Sequence, residues 1–533
     1  MSTNLARSTA IMTVGTVLSR STGLLRLAAI AAALGVVETG GLTDAYNYAN
    51  TAPNIIYELF LGGVLTSVFV PVFVDLLEKE GRDRAWQVAS ALINVSVVGL
   101  MAVSALGIAL APWIAKLYTL NVDGDTARSE EVMTFLLRLF IPQIIFYALT
   151  AITAGLLNAH KRFGAPMYTP VLNNIAVIAV FLSFRYAYDA VSLDGVTTSQ
   201  LFVIGAGTTA GVVLMALAQL PFLRGLGRYQ WTFHIRHPSV VKLAKLSVFV
   251  IGYVVTNQIG YLVVQVLAGG EVGGYTAYTW AFTFFMLPHG LFAVSIITAL
   301  LPGMSAHASN ERWDLYRDQL SIGVRATTLL ILPAAIGYFV LGTPIVRVLL
   351  EHGIMGAAST ELVAGVLRLF VLGLVPFALF QLFLRAFYAL HDTKTPFLIN
   401  VAAVVLNTAV NLPMYALLGV RGLAAGHAIA YTFGVLVQGR TLSRRIGGID
   451  EARIARSVAR IGGAALGMGL AVWGAYGATT ALIEPTSFAS ELVIVMVPVV
   501  IGGISYLGLC LWLKVEELDY ARSIAGRRFS RNK

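Results

Sequence analysis

Along this chain apolar positions come in long unbroken stretches separated by short polar punctuation, without the strict alternation that marks a half-buried strand. Fourteen stretches stand out, near 8–35, 47–74, 85–113, 131–158, 167–188, 199–223, 240–268, 275–303, 318–341, 360–389, 396–418, 421–440, 455–480 and 489–513. Each suits a helix crossing a hydrocarbon layer of about 30 Å, which takes about 20 residues. Lipid offers a backbone no hydrogen-bond partners, so the choice lies between helices and a closed barrel, and the missing alternation excludes the barrel. The pattern therefore predicts an all-α polytopic membrane protein of about 14 transmembrane helices. Composition agrees. Only 12% of residues are charged, about half the share usual in soluble domains, and mean hydropathy is +0.78.

A net charge of +10 would suit nucleic acid if it were concentrated on one face, but its placement points elsewhere. Of 37 Lys and Arg, 26 fall at the termini or in loops after even-numbered spans, five on the opposite side and six within spans. That asymmetry predicts both termini in the cytoplasm. The clusters Arg440-Arg444-Arg445-Arg453-Arg456-Arg460 and Arg522-Arg527-Arg528-Arg531-Lys533 read as orientation signals, with anionic-lipid contact the lesser reading. Cys510 is the single cysteine, which rules out an intrachain disulfide and a cysteine-based metal site. No soluble domain is expected before or after the spans.

The chain echoes itself at a nearly constant interval. Leu136-Leu137-Arg138-Leu139-Phe140 returns as Val366-Leu367-Arg368-Leu369-Phe370, and His160-Lys161-Arg162 with Pro166 returns as His391-Asp392-Thr393-Lys394 with Pro396. Pro71 and the charged loop Asp75 to Arg84 are echoed by Pro302 and the loop His307 to Asp318. Six spans per unit is an even number, so the units are parallel repeats sharing one orientation. The expected organisation is an N-lobe over 1–230, a C-lobe over 231–447 and an appendix of spans 13 and 14 with a basic tail over 448–533. His234 to His237, after Arg224 and Arg228, form the linker. Two pseudo-symmetric six-helix lobes suit alternating access, a design for transport.

Polar residues inside spans carry the functional reading. Ser19-Arg20-Ser21-Thr22-Gly23 lies mid-span, with Arg26 beyond it. A cation at bilayer depth costs about 2.5–3.5 kcal/mol on insertion scales, so it normally faces a polar cavity. Two cations with no carboxylate between them suggest an anion, and the arginine fork suits phosphate. Six residues rotate a helix by about 240°, so both would reach one point only if Gly23 marks a kink. The competing reading has Arg26 snorkelling or paired with Glu58 or Asp44. Span 2 carries Pro53-Asn54, Glu58, Gly62-Gly63 and Pro71. Glu58 is expected to pair with Arg20 or Arg26, as a static ion pair or as a protonation switch. Asp44 suits helix capping as well as function. Span 8 has Thr279, Thr283 and Pro288-His289-Gly290. Asn407 and Asn411 share a helix face, and with His427 they form either a helix-joining amide set or a weak cation site. Arg138 and Arg368 are repeat partners near the outer ends of their spans. No phosphate loop, metal-ligand cluster or nucleophile motif is evident. A transporter is expected, not an enzyme, and no cofactor.

Taken together, these residues resemble the MurJ/MviN family of lipid II flippases, within the multidrug/oligosaccharidyl-lipid/polysaccharide exporter superfamily, and the glycine- and alanine-rich composition looks like that of an actinobacterial member. The markers are Ser19-Arg20, Gly23 and Arg26; Thr43-Asp44-Ala45; Pro53-Asn54; Phe69-Val70-Pro71; Glu351-His352-Gly353; and Phe387-Tyr388-Ala389 followed by Asp392, Lys394, Thr395 and Pro396. Each is weak alone, but their order and spacing over the whole chain are specific. The resemblance implies a bacterial cell-membrane protein that moves undecaprenyl-linked peptidoglycan precursor to the outer leaflet. It places Arg20 and Arg26 at the anionic headgroup and the lipid tail along spans 13 and 14. Ser19, Asp44, Asn54, Glu58, Thr283 and His289 complete the candidate substrate site. Partners would be lipid II, membrane lipids and cell-wall synthesis proteins, not nucleic acid.

Two departures from the family pattern stand out. Tyr57-Glu58 occupy a place where many members carry paired arginines, and Thr283 stands where many carry another. A cation site of some relatives maps onto Asn407, Asn411 and His427, where no carboxylate remains, which puts sodium dependence in doubt. The alternative functions are export of another lipid-linked oligosaccharide or of drugs, and a non-transporting scaffold for cell-wall enzymes. Cavity arginines disfavour cationic drugs. A scaffold has no use for charges at bilayer depth.

Overall fold

The computed structural model describes residues 2–58, 70–233 and 248–518. These residues fold into α-helices joined by short turns, in chain order α1 Ser2–Leu34, α2 Leu42–Tyr57, α3 Val70–Lys79, α4 Arg82–Tyr118, α5 Ala127–Phe140, α6 Gln143–Ala159, α7 Gly164–Ala187, α8 Thr198–Leu217 and α9 Val248–Ala268. There follow α10 Gly274–Pro288, α11 Val294–Ser309, α12 Trp313–Leu350, α13 Ala357–Phe370, α14 Leu374–Ala389, α15 Lys394–Leu418, α16 Val420–Ile446, α17 Glu451–Leu482 and α18 Phe488–Trp512. Among the described residues twelve helical segments are long and apolar enough to cross a membrane. The two other stretches expected to cross, 47–74 and 240–268, run partly through residues outside the described set; their described parts are α2, α3 and α9. Gly62-Gly63, Phe69, the linker His234 to His237 and the basic tail beyond residue 518 also lie outside it.

The chain packs as two compact units, Met1–Thr276 with Leu350–Ser359, and Ala277–Leu349 with Thr360–Lys533. In the first, α1 lies along α7, and α2 packs on α5. In the second, α15 pairs with α16, and α17 with α18.

The repeat is visible in the backbone. Gly81 and Glu311, then Lys161 and His391, adopt left-handed φ values of 84°, 55°, 60° and 57°, the members of each pair one repeat interval apart. The turns close with the same bonds: Arg162 N donates to Leu157 O as Asp392 N does to Phe387 O, and Glu80 N donates to Leu76 O as Asn310 N does to Ala306 O. The cores correspond as well. Trp86, Ile152, Leu156 and Leu157 are buried together in the first unit, and Tyr316, Leu382, Ala386 and Phe387 in the second.

The last two helices dock on α12. Ile461, Ala464, Met468 and Val472 of α17 and Tyr506 and Cys510 of α18 bury against Leu329 and Leu341, with the Tyr506 hydroxyl donating to Leu329 O at 2.8 Å. Cys510 is fully buried there as a free thiol. Below this apolar contact, Arg325 of α12, 4% exposed, forms an ion pair with Glu517, 8% exposed, just after α18. Ser457 of α17 donates to the same carboxylate at 3.0 Å, and Arg453 binds Glu516 at 3.1 Å.

Candidate functional site

The first unit presents two arginines on α1, Arg20 and Arg26. Neither Arg20 nor Arg26 makes a hydrogen bond or ion pair among the described residues; Arg20 is exposed and Arg26 half-buried. Helix α1 runs unbroken from Ser2 to Leu34, so Gly23 does not interrupt it. On an uninterrupted helix a six-residue step aims the two guanidinium groups in different directions, which accounts for their unequal exposure. The segment around them is held from α7: Asn174 Nδ2 donates to Ser19 O at 3.2 Å and to Thr22 Oγ1 at 3.0 Å. The Thr22 hydroxyl donates back to Leu18 O at 2.8 Å. This local pattern bends helices gently without breaking them. Arg26 lies within electrostatic reach of the Tyr46 and Tyr147 phenols. Tyr46 is anchored to the Thr208 hydroxyl at 2.9 Å and wedged edge-on between Phe140 and Phe181. Tyr147 stands beside Asn54 and 6.0 Å from the Tyr57 ring.

Glu58 does not take the place expected of it. The exposed carboxyl forms no ion pair among the described residues, with Arg20, Arg26 or any other cation. The result is an excess of positive charge along α1, fringed by phenols and amides, an arrangement whose chemistry suits an anion. Asn54, exposed on α2 after the buried Pro53, donates to Asn50 O at 3.3 Å.

Asp44 is fully engaged elsewhere. Its carboxylate accepts from Gly273 N at 2.7 Å, Thr276 N at 2.8 Å and Thr276 Oγ1 at 2.6 Å, capping the first turn of α10. Asn47 adds a bond to the same threonine hydroxyl at 3.0 Å. Beside it Tyr48 stacks between Tyr118 and Tyr275, its ring 3.9 Å from the latter, and donates to Gln265 O at 2.6 Å. Capping by Asp44 was foreseeable, but the helix it caps lies far along the chain rather than next to it.

The motif Glu351-His352-Gly353 packs on the end of α1. Gly353 has φ +67°, and a Cβ there would lie 2.2 Å from Ala32 O, so only glycine fits. Ile354 N donates to the same carbonyl at 3.1 Å. Glu38 then binds the loop: Oε1 accepts from Gly356 N at 2.7 Å, Oε2 from Val36 N at 2.8 Å, and Ser359 Oγ lies 2.6 and 2.8 Å from the two oxygens. Burial raises the Glu38 pKa, and the bonds from Ser359, Gly356 and Val36 outweigh it, leaving the carboxyl below the usual range. A depressed acid stabilises the folded loop above its ordinary pKa, near 4.5, and that contribution is lost as pH falls through the lowered value. A spin label at Ala358 is therefore expected to be immobile at pH 7 and to loosen only below about pH 4.5, whereas Glu38→Gln loosens it at both. Equal mobility of the label in both proteins at pH 7 would refute the latch.

In the second unit, the exposed Thr283 turns its hydroxyl onto Thr279 O at 3.0 Å. His289 is buried at the start of a one-turn π-helix, His289–Ala293, its ring 4.8 Å from Phe377. Such bulges are frequent at functional positions. Asn407 and Asn411 bond to one another at 3.1 and 3.4 Å, and Asn411 presses on Gly426, where a Cβ would meet Oδ1 at 2.0 Å. His427 is enclosed by Phe282, Phe285, Phe370, Phe377 and Tyr431 at 4.5–6.0 Å. No group of three or more His, Cys, Asp or Glu able to hold a metal occurs among the described residues. The motif residue Asp392 accepts from Thr395 N at 3.0 Å and pairs with Arg445; burial raises its pKa, but these partners hold it below the ordinary range.

Residues 30–494 match the family model described as lipid II flippase MurJ. The chain belongs to the MurJ family. It is 29% identical over 481 residues to the probable lipid II flippase MurJ of Haemophilus influenzae, covering 86% of this chain and 90% of that protein. It is 30% identical over 432 residues to the lipid II flippase MurJ of Burkholderia cenocepacia, covering 79% and 80%. Among solved structures it resembles lipid II flippase MurJ in an inward closed conformation, with TM-score 0.75, 22% identity and coverage of 95% and 99%. A multidrug resistance MATE family transporter of the MOP superfamily shares the fold at TM-score 0.67 and 13% identity, over 81% of this chain and 96% of that one. The chain is thus a multi-span membrane protein of a MurJ-type all-helical fold. Tyr46, Tyr147, Asn174 and Thr208 were not distinguishable in the sequence, since a lone tyrosine or threonine in an apolar span reads as packing.

Proposed function

We propose that this chain moves lipid II, an undecaprenyl-pyrophosphate-linked disaccharide-pentapeptide, from the inner to the outer leaflet of the bacterial plasma membrane by alternating access. The observation that supports this most is the pair of guanidinium groups on α1 that no carboxylate neutralises among the described residues. Arg20 and Arg26 bind the pyrophosphate, with the phenols near Arg26 as neutral donors, and the polyprenyl tail stays in the bilayer along α17 and α18. Both termini lie in the cytoplasm. A potential negative inside favours outward movement of an anionic headgroup by about 2.3 kcal/mol per charge per 100 mV. That contribution needs no coupling cation, in keeping with asparagines bonded to each other at 407 and 411.

The test is lipid II sidedness in a bacterium depleted of its own flippase. Expression of this chain is expected to clear lipid II from the inner leaflet and restore its appearance outside. Continued inner-leaflet accumulation, with the chain present in the membrane at normal abundance, would overturn the proposal.

A further inference from the structure

The two copies of the Leu-Arg-Leu-Phe motif end differently at their arginines. In the second copy Arg368 of α13 donates through Nη2 to the Thr343 hydroxyl of α12 at 2.6 Å. The residue one repeat interval before Thr343 is Trp113, preceded by Pro112, and neither side chain can accept a hydrogen bond. Arg138 accordingly makes no hydrogen bond or ion pair among the described residues, and its side chain is exposed. A cavity of about 500 Å³ opens there instead, lined by Arg138 with Pro112, Glu131, Thr134, Phe135 and Thr198.

The acids at this cavity are already engaged. Glu131 binds Arg128 at 2.7 Å, and Glu130 accepts from the Thr119 and Thr126 hydroxyls at 2.9 and 2.7 Å. Arg128 also donates to the carbonyls of Leu193 and Val196. Glu130 is held by neutral hydroxyls alone, and Arg138 is the cavity cation with neither a hydrogen bond nor an ion pair among the described residues. Its depth matters. The crossing Ala127–Ala159 has 33 residues, about 50 Å at 1.5 Å per residue, against a hydrocarbon layer of about 30 Å. Centred in that layer, the crossing formed by α5 and α6 overhangs by about 10 Å at each end, and Arg138, about 17 Å from its start, lies about 7 Å inside the apolar boundary. A guanidinium at that level is costly unless an anion meets it or it snorkels out. On the neighbouring helices Trp113 is 66% and Phe202 56% exposed, as lipid-facing side chains are.

The geometry points to a lipid site: this cavity takes the phosphate of a membrane phospholipid, in the leaflet opposite the basic loops. Arg138 is its cation and the Thr134 and Thr198 hydroxyls its neutral partners, while Trp113 and Phe202 lie against the acyl chains. The inference is independent of the flippase reading, because it uses no residue of α1.

The full chain in phosphatidylglycerol nanodiscs, examined by native mass spectrometry after release, provides the test. Arg138→Ala is expected to lower retention of the most tightly held phosphatidylglycerol about fivefold, the worth of one arginine near a lipid surface, while Arg368→Ala leaves it unchanged. Thr134→Trp fills the cavity with Arg138 intact and is expected to give the same loss, so the outcome is decided even if Arg138→Ala does not fold. Millimolar inorganic phosphate is expected not to displace the lipid. Undiminished retention in Thr134→Trp, or in a folded Arg138→Ala, would overturn the site, and displacement by phosphate alone would make it an anion site rather than a lipid site.

Discussion

Arg26→Ala combined with Arg20→Ala is expected to abolish rescue of a flippase-depleted bacterium while leaving the protein folded and abundant in the membrane. Charge-assisted hydrogen bonds contribute about 1.5–3 kcal/mol each, so each arginine accounts for roughly a tenfold to hundredfold change in headgroup affinity. The pair together exceeds what expression can offset. Folding is spared because neither guanidinium bonds to a described residue; α1 is held through Asn174 and the Ser19 carbonyl instead. Arginine-to-lysine replacements keep the charge and lose the planar fork, so they are expected to fall between wild type and alanine. Growth of the double alanine strain at wild-type rate would remove α1 from the mechanism.

The second large effect lies on the last helices. Glu517→Ala is expected to destabilise the chain by about 3–5 kcal/mol, because it strands a buried arginine. Arg325 is 4% exposed, and Glu517, itself bonded to Ser457, is its close partner. Glu516 lies 3.6 Å away but is half-exposed and already bound to Arg453. Replacing both members of the pair together, Arg325→Met with Glu517→Leu, is expected to recover most of the loss, since a well-packed apolar pair avoids desolvating two charges. Thermal unfolding in detergent, followed by tryptophan fluorescence, separates these outcomes. An unchanged midpoint for Glu517→Ala would mean that water already reaches Arg325.

Most of the architecture was legible because its cause is local. A bilayer demands about 20 apolar residues per crossing, and the chain supplies them in sequence. The repeat interval was legible from arginine and histidine motifs, and the left-handed residues Lys161 and His391 supply its structural basis in matched helix ends. Asn407 and Asn411 were readable as one face because four residues make about one helical turn, and they bond to each other. What escaped the sequence depends on distant partners. Asp44 finds its donors 229 and 232 residues away, and Arg325 finds its carboxylate 192 residues away. No periodicity encodes either distance. Glu58 and Gly23 were misread for a related reason: an acid near arginines suggests a pair, and a glycine among hydroxyl residues suggests a kink. Here α1 runs unbroken along α7, and Glu58 makes no ion pair among the described residues.

The most direct measurement is translocation in reconstituted vesicles containing only this chain and lipid II labelled on its sugar-peptide headgroup, read by quenching from outside. The expected result is time-dependent exposure or loss of headgroup signal with the wild-type chain and none above empty vesicles with the Arg20→Ala, Arg26→Ala pair. Equal rates for the two proteins, or no movement by the folded wild-type chain, would contradict a pyrophosphate held by the cations of the first helix.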